Sequence, residues 1–159
     1  EKDLFNYLKI KGVTLRDGTL ELFEYFRQKM AVVKDQINEI EDNIQGYTKL
    51  RIIANRYNTS ITMKDYFREL VANPEKLPDA DLFVHTCVPS LKEMTSAYRK
   101  MSEQPVKGSE TYQTLQELAE KIELTCEKLE EDYLHFQEDR IQDSEAEMDY
   151  VSRKILEKR

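Results

Sequence analysis

Four side chains late in the sequence have the types and spacing that a metal site needs. Asp132 and His135 stand three apart, Glu131 lies four before His135, and Asp139 four after it. Residues three and four apart share a helix face, so these groups could gather a hard or borderline cation. Helical proteins that hold paired metals use two Glu-x-x-His units and further glutamates, all directed inward. Here there is one approximate copy, with Asp in the place of Glu, and an acidic helix this rich produces such spacing by coincidence. Glu131, Asp132, His135 and Asp139 are therefore candidates set against the plainer reading of a solvated acidic face. No cofactor is expected.

Nucleophilic chemistry has less to build on. Cys87 is followed by VPSLKEM and Cys126 by EKLEEDY, so neither opens a Cys-x5-Arg phosphate loop. Carboxylates around Cys126 would raise its pKa rather than lower it. The two cysteines lie far apart in no metal-type spacing, which favours free thiols and leaves a single bridge open. Asp79 and Asp81 follow prolines rather than an apolar strand and read as helix-start residues; His85, four after Asp81, reads as a capping or surface residue. No G-x-x-x-x-G-K or G-x-G-x-x-G pattern occurs. Tyr25, Tyr47, Tyr57, Tyr66, Tyr98, Tyr112, Tyr133 and Tyr150 recur where helices should meet, either lining a ligand groove or, more plainly, as boundary residues with ring buried and hydroxyl wet.

Charge narrows the partners. The net charge is −7, and residues 109–159 carry 7 basic against 15 acidic side chains, so the last third supplies all of the acidity. Such a surface repels phosphate backbones, and nucleic acid is not an expected partner. Lys49, Arg51 and Arg56 form the one local basic cluster singled out as an interaction surface, against the plainer reading of solvated side chains on a helix.

The elements that must position these residues are helices. With 159 residues, 35% charged, and only 4 Gly and 4 Pro, the composition suits long helices with solvated outer faces. Phe23, Phe26, Met30, Val33, Ile37, Ile40, Ile44 and Tyr47 alternate steps of three and four, which lines one stripe of a helix. The expectation is an all-α, elongated antiparallel helical bundle, coiled-coil-like, with three long helices and one or two short ones. It forms a single helical domain over 1–159. A short helix and loop occupy 1–15, and a long helix starting at Asp17 spans 17–57. A short helix follows over 60–73, then the loop NPEKLPDAD, a proline-kinked helix over 80–103, and a long acidic helix over 109–157 with a possible break near 142. The stripe is expected to face sister helices in the chain, with dimerisation through the same surface as the rival.

DYFRELVANPEKLPDADLF is followed by Phe83, the Val88–Pro89 pair six residues on, and Tyr98 nine beyond that proline. After a polar loop come Ile122, Thr125, Leu129, Tyr133 and Phe136. From about Tyr66 to Leu156 this pattern resembles the bacterial 5-bromo-4-chloroindolyl phosphate hydrolysis family, also called XpaC-like. The departures are Val88 where leucine is usual and His85–Thr86–Cys87 where a double-tyrosine-like stretch is usual. The resemblance implies a helical protein, an association with toxic-anion or envelope stress resistance, and, by its name, hydrolysis of an indolyl phosphate ester.

Taken together, the residues lead to a non-enzymatic helical interaction module, since no catalytic motif is visible. The alternatives are a phosphomonoester hydrolase with a helix-borne metal site, and a membrane-surface coiled-coil scaffold. A protein partner or self-association through helical faces is expected. No apolar run approaches the length of a membrane span. The chain opens on Glu1 rather than Met, so an anchor is expected only in a segment ahead of it, with the protein in the cytoplasm or at the cytoplasmic face of the membrane.

Overall fold

The computed structural model describes the backbone of residues 19–157 and the side chains of residues 21–138 and 145–156. The expected helix over 1–15 and the start at Asp17 lie outside the described residues. Every regular element described is helical: α1 (Thr19–Gln45), α2 (Thr48–Arg56), α3 (Thr59–Ala72), a 3-10 segment (Pro74–Ala80), a π turn (Phe83–Cys87), α4 (Val88–Ser102) and α5 (Ser109–Glu157).

The three–four stripe of α1 is turned inward, with Met30, Val33, Ile37, Ile40 and Ile44 buried. Phe23 departs from it at 63% exposure, and Leu22 takes the inward place. A step of four from Leu22 to Phe26 keeps the stripe in line at 3.6 residues per turn. The single helix expected over 17–57 is two helices. Tyr47 adopts an extended conformation (φ −131°, ψ 117°) directly after Gly46, and the chain re-enters helix at Thr48.

α3 starts at Thr59, one residue ahead of the expected bound. Its N-cap Asn58 is left-handed (φ 52°), a conformation that asparagine tolerates better than most residues. The stretch expected as a loop, NPEKLPDAD, is mostly the 3-10 segment, whose Leu77 and Ala80 are fully buried. Pro74 opens it, where a missing N–H costs nothing. The kinked helix expected over 80–103 is instead the π turn followed by α4. Proline lacks an N–H, and its ring crowds the carbonyl four residues back. Just ahead of Pro89 the Val88 N–H reaches Phe83 O, five residues back, and Pro89 falls in the first turn of α4. The widened turn absorbs the proline. α5 runs for 49 residues with no break near 142, a rod of roughly 70 Å.

Contacts link α1 to α3 and α4, and α5 to α3 and α4, closing a ring of helices with α2 packed on α1, α3 and α5. Glu41 of α1 receives a 2.6 Å hydrogen bond from Ser60 and a 3.2 Å ion pair from Lys64, while Lys34 and Ile37 share a groove with Phe67 and Arg68. α1 and α3 are therefore antiparallel. Between α1 and α4 the paired numbers rise together, Asn43 with Thr95 and Tyr47 with Arg99, so these two are parallel. The same holds from Tyr57–Glu123 to Tyr66–Asp132 along α3 and α5. Tyr98 and Ser102 share a groove with Tyr112 and Leu115, and Cys87 feels the charge of Asp132, so α4 and α5 are antiparallel. Along the chain α1, α3, α4 and α5 thus alternate in direction, and the ring also sets α1 parallel to α4 and α3 parallel to α5. The ring mixes both senses because the packed segment 74–87 carries the chain away from α3 and sets α4 beside α1.

Candidate functional site

Tyr66 on α3 joins three elements at one point. Its hydroxyl donates to Asp132 Oδ2 on α5 at 2.8 Å. Its ring stacks on Phe83 of the π turn, centroids 4.1 Å apart and planes 10° apart, and packs against Phe136 at 4.7 Å and Tyr133 at 5.0 Å. Burial, and then the Asp132 carboxylate, push the Tyr66 phenol far above its ordinary range, so it stays a proton donor at any physiological pH. The cluster ties α3, the π turn and α5 together with one part-buried polar contact at the edge of an aromatic core.

The same contact settles how the candidate ligands are disposed. Asp132 is turned toward Tyr66, whereas His135 is 81% exposed and faces Glu138 at 3.6 Å. Glu131 is exposed, and the side chain of Asp139 lies outside the described residues. At about 100° per residue Glu131 lies a quarter-turn or more from Asp132, while His135, only about 60° away, falls on the edge of the face that meets water. Among the described residues no three His, Cys, Asp or Glu side chains converge as a cation site would require. His85 sits with its Nε2 3.9 Å from Asp81 Oδ1, one helical turn away. The N-cap position of the π turn is Leu82.

Cys87 and Cys126 are both free and buried. Burial pushes each thiol up to about 11, helped by Asp132 at Cys87 and by Glu123 at Cys126. At neutral pH both are protonated and poorly nucleophilic.

Of the basic cluster, Arg56 is committed: its guanidinium donates to Glu123 Oε1, which also receives the Tyr57 hydroxyl at 3.1 Å. Arg51 bonds back to Thr48 Oγ1 at 3.0 Å. Lys49 and Arg56 line a cleft of about 560 Å³ between α2 and α5, whose opposite wall carries Gln116, Glu120 and Glu123. Carboxylates on that wall offset the cations, so the cleft is no simple anion site.

A second buried polar group was not anticipated. Asn43 Nδ2 donates to Thr95 Oγ1 at 3.2 Å, Thr95 donates in turn to Leu91 O at 2.6 Å, and Arg99 Nη1 reaches Asn43 Oδ1 at 3.4 Å. Asn43 beside Ile44, and Thr95 one step from Met94, look like flanking residues in a one-dimensional pattern. Only the parallel docking of α1 on α4 makes them meet.

Of the eight tyrosines singled out above, Tyr66 is fully buried and Tyr25, Tyr47, Tyr57, Tyr98 and Tyr133 pack part-buried on the core. Tyr112 and Tyr150 are exposed. α5 is exceptional beyond Phe136. Met148, Val151, Ile155 and Leu156 are 54–68% exposed, all within its last three turns. No helix among the described residues is long and apolar enough to cross a membrane.

A family model described as "5-bromo-4-chloroindolyl phosphate hydrolysis protein" matches residues 6–151. The match therefore extends well ahead of the region from Tyr66 that carries the recognisable pattern. No curated protein and no solved structure matches the chain significantly.

Proposed function

Because this chain belongs to the 5-bromo-4-chloroindolyl phosphate hydrolysis protein family, we propose that it serves there as a non-enzymatic helical module. In this reading the chain is one unit that binds protein through a helix face. The carrying observation is the bare apolar side of α5 formed by Met148, Val151, Ile155 and Leu156. Among the described residues the apolar stripe of α1 is buried from Phe26 to Ile44, and an exposed apolar patch of the kind on α5 marks a contact surface. A place on the cytoplasmic side and a link to toxic-anion or envelope stress belong to the same reading, in which the protein acts by holding a partner.

The family description is what supports a hydrolase, and the divergence of Asp132 and His135 is what speaks against a metal site at α5. Purified protein incubated with 5-bromo-4-chloroindolyl phosphate should release no product above buffer. Turnover that copurifies with the chain and disappears in His135→Ala would overturn the reading, since His135 is exposed and its loss leaves the core intact.

A further inference from the structure

Resting on that reading, we propose that the bare face of α5 pairs with the same face of a second copy of this chain, antiparallel, about a two-fold axis near Val151. At about 100° per residue, Met148, Val151, Ile155 and Leu156 fall on one stripe with Ser152. A shallow groove runs beside it along Glu147, Met148, Val151 and Ser152. Glu147 and Lys154 flank the stripe on one side, Asp149 and Arg153 on the other, and the segment is acidic before Val151 and basic after it.

That polarity chooses the occupant. In an antiparallel pair centred near Val151, Met148 meets the partner's Ile155, Glu147 meets the partner's Lys154, and Asp149 meets the partner's Arg153. A two-fold axis repeats each of these contacts, so one self-complementary face satisfies both copies. A parallel pair would set acidic level beside acidic level and basic beside basic, which is unfavourable. An anionic membrane would meet Glu145, Glu147 and Asp149 at the leading end of the face, where like charge opposes it.

The test is the solution mass of the full chain across a concentration series. A dimer is expected, and Val151→Glu with Ile155→Glu should give a monomer with unchanged helical content. Two charge variants separate pairing from general stickiness. Glu147→Lys with Asp149→Lys, and Arg153→Glu with Lys154→Glu, should each be monomeric alone and should form a one-to-one complex when mixed. Orientation is read by disulfide trapping: Met148→Cys should bridge to Ile155→Cys on mixing and not to itself. A chain that stays monomeric at every concentration overturns the proposal, as does self-bridging of Met148→Cys, or flotation with anionic vesicles without dimerisation. None of these outcomes depends on phosphate-ester turnover, so failure here and failure of the non-enzymatic reading are told apart.

Discussion

Tyr66 and the two thiols show what single side chains contribute. Tyr66→Phe keeps the stacked ring and removes only the hydroxyl that Asp132 accepts. The loss leaves a carboxylate without its buried donor, and should cost about 1–2 kcal/mol in urea unfolding. The thiols give a pH dependence. Cys87 and Cys126 are raised from 9.0 to about 11 in the folded chain. The native state therefore holds these protons more tightly than the unfolded chain. Their contribution is complete below pH 9 and is lost as pH climbs toward about 11. Equilibrium unfolding of the wild type and of Cys87→Ala/Cys126→Ala should diverge least in slope below pH 9, and only the wild type should show the thiol-dependent decline above it. Spacing of three and four does not choose between Thr125 and Cys126, and the structure buries Cys126. The Tyr66–Asp132 contact was not readable, because its partners lie on helices far apart in the sequence.

At the scale of elements, the break after α1 is set by the chain path rather than by crowding. A Cβ built on Gly46 meets nothing within 4 Å, and Gly46 is not in the left-handed region. Gly46→Ala should thus be tolerated and should raise stability by about 0.4–1 kcal/mol through a stiffer unfolded chain, read as a small rise in Tm. The bend itself is held by Tyr47, whose hydroxyl donates to Arg99 O at 3.4 Å and whose ring meets Tyr98 edge-on at 5.6 Å. Helical character could be read from spacing, as every regular element described is helical. The 3-10 segment and the π turn could not. Proline content suggested a loop and a kink, and burial of Leu77, Ala80 and Phe83 pulled both stretches into helical turns instead.

For the whole molecule, burial separates two apolar stripes. Ile40 is fully buried and Ile37 nearly so, which sets this part of the α1 stripe within the core. Ile40→Asp should therefore unfold the protein, with a loss of about 4–5 kcal/mol or more by circular dichroism and denaturant titration. The candidate ligands midway along α5 were legible as a spacing, but a spacing does not say which face is inward.

Helical character, the inward stripe of α1 and the acidity of the last third follow from local composition and period, because a helix's amphipathicity is written in residues three and four apart. Tertiary structure alone decided that α1 runs parallel to α4, that Asp132 turns to Tyr66 while His135 turns to water, and that the apolar side of α5 outlasts its neighbours. Each of these depends on which helices end up side by side, and that follows from how the whole chain closes its core rather than from any one stretch of it.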